Sequence, residues 1–466
     1  MENYEINEVI KMKKSIAMLV PLLFLASIWV KQTSKNPVIL KNEVLLNRDT
    51  NNYTELRHIV LKGTNEQIGH ALGEIAIEDY NVKLYPYADP IYAKARLDYM
   101  QKNYPVFYER MKGVAEAYNV PLNSNLDLGA LVYDVEYPDC SMVFFPSSVT
   151  SNGHTMVCRN IDFFKANFDT LYKKIKTNQP DIYSRPFILE IYPLDGGYSS
   201  LVLGDIDLMQ IGFHGFNSQG LGVDGQYDLY RPSAQGSLAG GRTSGITMIG
   251  LLRMILDTCK SIDEAKMVML NNKIYCGPFP KHFMIYDRSG NSTIAEFTSD
   301  MVNLANGIPL DKQKDNSIHF TDYFNSISVM TNHPVYLVPN ITEILKIRND
   351  SLKDWYYDTF NRYMALTDLT SKHIGKFTPQ DMIETLSSVY AECTVPIPGL
   401  GVIAESRTLY NFLLDLTNGT LSLRFYLRDG PTDPDPSHKG LGLDGNELRS
   451  PIFSKFLDFT LEKEST

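Results

Sequence analysis

The residue types that could carry out covalent chemistry are concentrated between residues 137 and 164, which read YPDCSMVFFPSSVTSNGHTMVCRNIDFF. Cys140 begins the first of two strand-like runs, and Arg159 and Asp162 end the second. A cysteine that forms a thiolate is a nucleophile, whereas a cysteine in apolar surroundings is an inert core residue. The stretch therefore indicates a candidate thiol site, and the alternative is a buried thiol beside a structural ion pair.

A predicted hairpin gives a first arrangement of these residues. Residues 152 and 153 are Asn and Gly, the strongest signal for a two-residue hairpin turn. With such a turn, Asp162 lies opposite Val143, and both charged residues lie toward the cysteine end of the hairpin. Strand alternation places Arg159 and Asp162 on opposite faces, so a single site needs a bend or bulge near Asn160.

The cysteine count bears on metals and redox state. The chain has five cysteines, and no two have the CxxC spacing of a zinc site, so neither a metal nor a cofactor is expected. An odd number in an exported protein leaves at least one thiol without a disulfide. Apart from Cys140, we interpret the cysteines as core residues, namely Cys158, Cys259, Cys276 and Cys393.

Length and charge limit the function classes. The chain has 466 residues, of which 44% are hydrophobic and 21% charged, which suits one large domain or two ordinary ones with a sizeable core. Its formal net charge is −10. Nucleic-acid binding needs clustered Lys and Arg against phosphates, so this acidic chain is not expected to bind nucleic acid.

Residues 1–36 have the features of a leader. Two lysines follow Met12, and residues 15–30 are uncharged and mostly apolar. A basic start followed by a short apolar run predicts an export signal or a retained membrane anchor, and a buried core helix is the alternative. We expect the protein to be exported or anchored to a membrane, and both Met1 and Met12 are candidate starts.

The rest of the chain divides by pattern. Residues 37–139 are predicted to be mostly helical, with an N-cap at Thr64 and Gln67 three residues later. From residue 140 onward, short β-branched and aromatic runs are separated by turn residues, and helical blocks interrupt them. Strands and helices in this order predict packed layers with antiparallel sheets.

Four motifs in a fixed order resemble those of one protein group. Cys140 is followed by Ser, a hairpin and RNID with an aromatic; later come GFNSQGLGVDGQ, VMTNHP and the hairpin SRTLYNFLLDLTNGTLSLR. Together they resemble the N-terminal-nucleophile (Ntn) hydrolases. Within these, the chain is similar to the group of choloylglycine hydrolase, acid ceramidase and N-acylethanolamine acid amidase, with the related penicillin acyltransferases. The resemblance covers most of residues 140–428.

The resemblance implies a fold and a maturation step. The fold is α+β, a four-layer αββα sandwich with antiparallel sheets. Such chains cut themselves before the cysteine, here between Asp139 and Cys140, which gives a helical α-chain (37–139) and a β-chain (140–466). The freed α-amine has a reference pKa of about 7.7–8.0 and serves as the base, so no separate histidine is required.

The resemblance also implies roles for five further residues. Arg159 would stabilise the thiolate or the substrate carbonyl, and Asp162 would hold the new α-amine. Asn332 would donate its side-chain amide to the oxyanion. Gln226 falls where the bile-salt-hydrolase branch usually carries Asn, and Arg407 resembles a late arginine of the family.

The activity implied is hydrolysis of a linear amide. The substrate would be a small amphiphilic N-acylated amine or amino acid, of the fatty-acyl amide or conjugated bile-acid class, and the α-chain would stay with the β-chain. Two alternatives remain. An acyltransferase would use an amine in place of water at the same thioester, and an exported binding protein would share the fold without catalysis.

Overall fold

The computed structural model describes residues 38–134, 139–167, 180–228, 245–275, 281–297, 318–336, 355–392, 394–397, 402–432 and 449–462. The predicted leader, Cys276 and Cys393 lie outside the described residues. Within those ranges, no helix has the length and apolar character needed to cross a membrane.

Two large sheets form the centre of the molecule. In chain order, the strands are β1 (Val38–Leu46), β2 (Leu56–Gly63), β3 (Asp139–Phe145), β4 (Met156–Phe164), β5 (Phe187–Pro193), β6 (Ser200–Gly204), β7 (His214–Asn217), β8 (Leu221–Tyr227), β9 (Ile246–Thr247), β10 (Ile274–Tyr275), β11 (Lys281–Asp287), β12 (Asn291–Phe297), β13 (Ile318–Phe324), β14 (Ser328–Met330), β15 (Thr394–Ile397), β16 (Val402–Asp415), β17 (Thr420–Thr432), β18 (Arg449–Phe453) and β19 (Leu457–Thr460).

The first sheet has nine strands in the order β1-β2-β5-β6-β7-β8-β11-β12-β13, and all its pairs are antiparallel except β2 with β5. The second sheet has eight strands: β14-β3-β4-β16-β17-β18 form its main path, and β15 and β19 pair with β16 and β17. A short parallel pair, β9 and β10, stands apart. The predicted antiparallel sheets are therefore present.

Helices cover both outer faces of this pair of sheets. They are α1 (Asn65–Glu78), α2 (Pro90–Asn103), α3 (Pro105–Ala117), α4 (Met248–Thr258), α5 (Ile262–Asn271), α6 (Trp355–Lys372) and α7 (Pro379–Ser387). The first five share a core with the first sheet, and α6 and α7 share one with the second. A third core lies between the sheets. The fold is thus the predicted α+β, four-layer αββα sandwich.

Strand β3 shows how the sequence produces this layering. All its residues from Cys140 to Phe145 are buried, because both faces of the sheet are covered. Met142 and Phe144 join the core between the sheets, whereas Val143 packs against the helices. Alternation therefore directs Cys140 into the core between the sheets, where it belongs with Met142.

The segment before the cysteine is not only helical. The capping box predicted at Thr64 and Gln67 is present at the start of α1. The residues before it form β2, whose alternating burial has the period of a strand, and β2 pairs with β5 of the later segment. Residues 38–134 therefore contribute two strands as well as three helices, and part of the sheet is built from both sides of residue 139.

The predicted register of the β3–β4 hairpin is wrong. Asp162 lies opposite Asp139, not Val143, because residues 146–155 form a longer connection in place of a two-residue turn. That connection pairs with another segment: the Ser151 amide donates to the carbonyl of Phe377 at 2.8 Å. The longer loop shifts the register by four residues and brings the charged residues nearer to the cysteine.

The bulge that a shared face for Arg159 and Asp162 would require near Asn160 is absent from the β3–β4 register. The register irregularity is in β16, between Thr408 and Tyr410, opposite Asp162 and Ile161 of β4. Strand β4 itself keeps its alternation, so Arg159 and Asp162 lie on opposite faces of the second sheet.

Candidate active site

Three polar groups converge on Cys140, which is fully buried. Arg159 Nη2 donates to its Sγ at 3.0 Å. Its backbone amide donates to Asn332 Oδ1 at 2.7 Å, and its carbonyl accepts from Arg362 Nη1 at 2.6 Å. A different side chain thus binds each of the three groups of Cys140: its sulfur, its backbone amide and its carbonyl.

Arg159 reaches the sulfur from the adjacent strand and is itself fixed. Its Nη1 donates to the carbonyl of Phe213 at 2.8 Å and to Asp224 Oδ1 at 2.6 Å. Its Nη2 also donates to the carbonyl of Gly225 at 2.8 Å. A planar guanidinium with acceptors on both terminal nitrogens has little rotational freedom, so the cation is held against Sγ.

Burial dominates the ionisation of the thiol. Loss of water raises the pKa of Cys140 to about 11, and the charge and hydrogen bond of Arg159 only partly oppose this rise. At neutral pH the sulfur is therefore a thiol in this structure, and a nucleophilic role would require a proton acceptor.

Asn332 lies in the loop after β14 and connects three elements. Its backbone amide donates to Thr359 Oγ1 of α6 at 2.8 Å, and its Nδ2 donates to the carbonyl of Tyr227 in β8 at 2.8 Å. Its Oδ1 accepts from Arg362 Nη2 at 3.0 Å in addition to the Cys140 amide. The Asn332 side chain therefore accepts from the backbone amide of Cys140.

Asp162 lies on the helix-facing side of β4, opposite Asp139. Thr408 Oγ1 donates to its Oδ1 at 2.5 Å, and its buried Oδ2 has no hydrogen-bond partner within the described ranges. Burial raises the pKa of this carboxyl to about 7, although the charge of Arg362 opposes the rise. The carboxyl of Asp162 therefore gains or loses its proton near neutral pH. It lies on β4, the strand that pairs with β3, directly opposite residue 139.

Gln226 has an unusual environment for a buried amide. Two residues from Asp224 on β8, it lies on the strand face that looks toward the second sheet. Neither its Oε1 nor its Nε2 has a hydrogen-bond partner in the part of the chain that the structure describes. His282, directly opposite on β11, likewise has two ring nitrogens without a hydrogen bond there. His282 Nδ1 lies 3.9 Å from Glu296 Oε1. Buried polar atoms are normally paired, so the amide of Gln226 is available to water or a ligand.

Arg407, which the motifs suggested, does not contact Cys140, whereas Arg362 does. Arg407 forms an ion pair with Asp429, Nε to Oδ1 at 2.5 Å. The arginine on the carbonyl of Cys140 is Arg362 of α6, which no motif indicated. A sequence signal was available, because Arg362 lies on the same helical stripe as the buried residues Thr359 and Leu366. An arginine on a buried stripe needs a partner inside the protein.

The structure thus brings Cys140 together with Arg159 and Asn332, and Asp162 lies across the ladder from residue 139. It adds Arg362 and Asp224, which sequence reasoning missed. Chemically, the arrangement combines a buried thiol, a cation on the sulfur and hydrogen bonds that orient the peptide unit at that residue. Such a group of residues is suited to nucleophilic attack on a carbonyl carbon.

Comparison with known proteins gives a family match. The family model described as "AAT: Acyl-coenzyme A:6-aminopenicillanic acid acyl-transferase" matches residues 149–428. The matched range begins after Cys140 and includes Arg159, Asp162, Asn332 and Arg362. No curated protein matches the chain.

Two solved structures are similar to this chain at low sequence identity. A mutant of conjugated bile acid hydrolase from Clostridium perfringens is 16% identical, with a TM-score of 0.40, over 70% of this chain and 97% of that chain. Penicillin V acylase from Agrobacterium tumefaciens is 14% identical, with a TM-score of 0.38, over 65% of this chain and 88% of that chain.

Proposed function

The chain belongs to the acyl-coenzyme A:6-aminopenicillanic acid acyl-transferase family, an Ntn group, and from this premise we propose that it is a cysteine amide hydrolase activated by self-cleavage. The nucleophile is Cys140, which becomes a chain end when the Asp139–Cys140 bond breaks. The substrate is an N-acylated amine or amino acid.

One observation carries the proposal: the guanidinium of Arg159 contacts the Cys140 sulfur at 3.0 Å inside a fully buried site. A buried thiol that only fills space needs no charged donor, and burying a cation costs free energy unless it is paired. An arginine held on a sulfur by further acceptors is instead suited to stabilising a thiolate. This favours the nucleophile over the core-residue alternative.

Self-cleavage follows an N-to-S acyl shift. The Cys140 sulfur attacks the carbonyl carbon of Asp139, a C–S bond forms, the C–N bond breaks, and the nitrogen takes up the proton as an amine. Water then hydrolyses the thioester and leaves a new carboxylate on Asp139. We assign the proton transfers to Asp162, whose pKa of about 7 suits exchange near neutrality.

Turnover repeats the same chemistry on a bound amide. The freed α-amine of Cys140 takes the thiol proton, and the sulfur attacks the substrate carbonyl. Arg159 stabilises the thiolate, and Asp162 holds the α-amine in its charged form. Asn332 donates to the oxyanion, and so does Gln226, whose amide has no hydrogen-bond partner among the described residues. The leaving amine takes a proton, and water resolves the acyl-thioester.

The surroundings of the thiol favour an apolar acyl group. Cys140 belongs to the core between the sheets, with Phe144 and Tyr286 in the same cluster, and the ring of Phe213 lies against Arg159. Apolar surface removed from water contributes about 25 cal/mol per Å². We therefore propose fatty-acyl amides and conjugated bile acids as the substrate class, with kcat/KM rising as the acyl chain lengthens.

Acyl transfer is the second candidate, because the matched family is described as an acyl-transferase. An amine would then attack the thioester in place of water, and the Cys140 sulfur would leave as before. The two reactions differ only in the molecule, water or amine, that accepts the acyl group. Partition of one labelled acyl substrate between free acid and a transferred amide, with added amine at increasing concentration, separates them.

The location of the protein is also part of the proposal. Because of the basic start and apolar run at residues 15–30, we propose export or membrane anchoring of the catalytic part. Cell fractionation with N-terminal sequencing tests this: a start near residue 36 supports a cleaved signal, and recovery in membranes with the run retained supports an anchor. Recovery in the cytosol with that run intact contradicts both.

Matched cysteine variants test the activity. Cys140→Ala should abolish release of amine from an N-acyl amide, whereas Cys158→Ala, a buried thiol on the neighbouring strand, should retain it. An activity-based probe that acylates thiols should label Cys140 alone. A folded Cys140→Ala protein that still releases amine refutes the nucleophile, and a wild-type chain that neither releases amine nor takes up the probe supports a binding protein of the same fold.

A further inference from the structure

Behind Arg159, a buried polar network extends into the opposite sheet. Asp224 accepts from Arg159 Nη1 through Oδ1 at 2.6 Å. Its Oδ2 accepts from the Tyr286 hydroxyl at 2.6 Å and lies 3.0 Å from His214 Nδ1. All four side chains are fully buried. Both oxygens of the carboxylate are therefore occupied, one by the arginine and the other by the two supporting residues.

The network joins the two sheets. His214, Asp224 and Tyr286 lie on β7, β8 and β11, which are neighbours in the first sheet. Arg159 and Cys140 lie on β4 and β3 of the second sheet. Asp224 of the first sheet thus fixes the side chain of Arg159 in the second sheet. The position of this cation on the Cys140 sulfur therefore depends on residues outside its own sheet.

The electrostatics support a permanently charged pair. Burial opposes ionisation of Asp224, but His214 and Arg159 hold the pKa of its carboxyl below the usual value. Without this carboxylate, Arg159 would retain two backbone carbonyls and the sulfur as its acceptors among the described residues, and no hydrogen-bonded carboxylate there would balance its charge. A buried guanidinium without an anion would turn toward water or another acceptor.

We propose that Asp224, supported by His214 and Tyr286, is a positioning residue that holds Arg159 Nη2 on the Cys140 sulfur. Its catalytic consequence rests on the proposed function; its effect on the thiol does not. The hydrogen bonds of Asp224 go to Arg159, His214 and Tyr286 and not to the sulfur, so in this proposal it acts through Arg159. The competing roles are a purely electrostatic effect on the thiol and a purely structural link between the sheets.

The sign of the change in thiol pKa distinguishes these roles. If Asp224 positions the cation, Asp224→Ala lets the guanidinium leave, and the pKa of Cys140 rises. If it acts only through its charge, loss of an anion leaves more net positive charge near the sulfur, and the pKa falls. If it is only structural, the melting temperature falls and the thiol profile stays as it was.

The measurement is the rate of Cys140 alkylation by iodoacetamide against pH, with the adduct located by peptide mass spectrometry. The midpoint of this profile gives the thiol pKa independently of how easily the reagent reaches the buried sulfur. For Asp224→Ala we expect a drop of about tenfold in rate at neutral pH, because one pKa unit changes the thiolate fraction tenfold. Asp224→Asn, which keeps an acceptor oxygen for Arg159, should recover part of the rate. A profile midpoint that is unchanged or lower in folded Asp224→Ala overturns the proposal.

Tyr286→Phe decides the question if Asp224→Ala does not fold. It removes one hydrogen bond to Asp224 without burying a lone charge, and we expect a decrease of about threefold in the same rate, typical of one partly lost bond. The matched control is Tyr410→Phe, which loses a hydrogen bond to the Tyr183 carbonyl in the same core and touches neither Arg159 nor Asp224. Equal rates for both variants overturn the proposal.

The two proposals fail in different ways. If the wild-type chain releases no amine but the alkylation profiles shift as expected, the proposed hydrolase function fails and the positioning role stands. If wild type is active, with kcat/KM lost in Cys140→Ala, but the profiles do not shift, the positioning role fails alone.

Discussion

At the residue scale, the ionisation of Asp162 is the property with the clearest consequence. Its carboxyl has a pKa of about 7 in the folded chain, because burial outweighs the charge of Arg362. Below that pH the group is neutral, and above it the group is an anion. Holding a charged α-amine requires the anion, and a cation beside the carboxyl lowers its pKa, so the rise of turnover with pH should have its midpoint below about 7.

The stability effect of Asp162 has the opposite sign. A carboxyl whose pKa is raised by folding binds a proton more tightly in the folded state, so it contributes stability at low pH that is lost as pH rises from about 4 toward about 7. In an uncut Cys140→Ala background, we expect Asp162→Asn to melt at a higher temperature than its parent at about pH 8, with the gap closing at about pH 4. A gap that is constant with pH would contradict the assignment. In the cut enzyme, the same substitution should lower turnover.

Gln226 gives a second prediction at this scale. Its amide has no hydrogen-bond partner in the described residues, so Gln226→Leu removes no hydrogen bond and should leave the melting temperature unchanged or higher. Turnover should fall by about 10²–10³-fold if the amide serves the oxyanion. Gln210→Leu is the control: the Gln210 amide bonds the Gly129 carbonyl and Asp207, so stability should fall while turnover per folded molecule persists. A fully active, equally stable Gln226→Leu would exclude the role.

At the element scale, helix α6 supplies a residue that the motifs did not reveal. Arg362 binds the carbonyl of Cys140 and the Oγ of Ser141, and Asp358 one turn earlier binds its Nε at 2.5 Å. Arg407, on strand β16, pairs with Asp429 instead. The helix thus orients the peptide unit between Cys140 and Ser141, next to the proposed cleavage site.

A pair of matched substitutions tests whether Arg362 or Arg407 contributes more to self-cleavage and turnover. Arg362→Lys loses the fork of donors that spans the Cys140 carbonyl and Asn332, and each such charge-assisted bond is worth about 1.5–3 kcal/mol. We expect both self-cleavage and turnover to slow by about tenfold or more. Arg407→Lys should affect both rates less. The comparison uses initial rates on folded protein, and a larger effect of Arg407→Lys would reverse the assignment.

At this scale, the faces of the strands could be predicted from the sequence, whereas the hairpin register and the role of Asp224 could not. Alternation correctly placed Arg159 and Asp162 on opposite faces of one strand, because that period is a local property. The Asn152-Gly153 turn did not set the register, since the loop pairs with the segment that contains Phe377, far away in sequence. Asp224 could not be inferred because its partner, Arg159, belongs to the other sheet, and only packing brings them together.

At the scale of the whole molecule, the two sides of residue 139 share one sheet and one core. Strand β2 pairs with β5 over seven residues, Arg57 to Gly63. Asp257 of α4 is buried and receives hydrogen bonds from Arg110 and Tyr104 of the upstream segment. A cut at residue 139 therefore leaves these contacts in place, and we expect the α-chain to stay bound.

This predicts that both chains elute together in size-exclusion chromatography and separate only in denaturant. Asp257→Asn removes the anion from a buried cluster with Arg110 and Arg253, a change that costs about 3–5 kcal/mol. We expect a lower melting temperature and earlier dissociation of the chains. Asp98→Asn, in an exposed pair with Lys94, is the control and should change little. Chains that separate in buffer alone would contradict the shared core.

The most direct test is the intact mass of the purified protein. The account predicts two polypeptides in the wild type, the second beginning at Cys140, and one unbroken polypeptide in inactive Cys140→Ala. An unbroken wild-type chain with full amidase activity would contradict it.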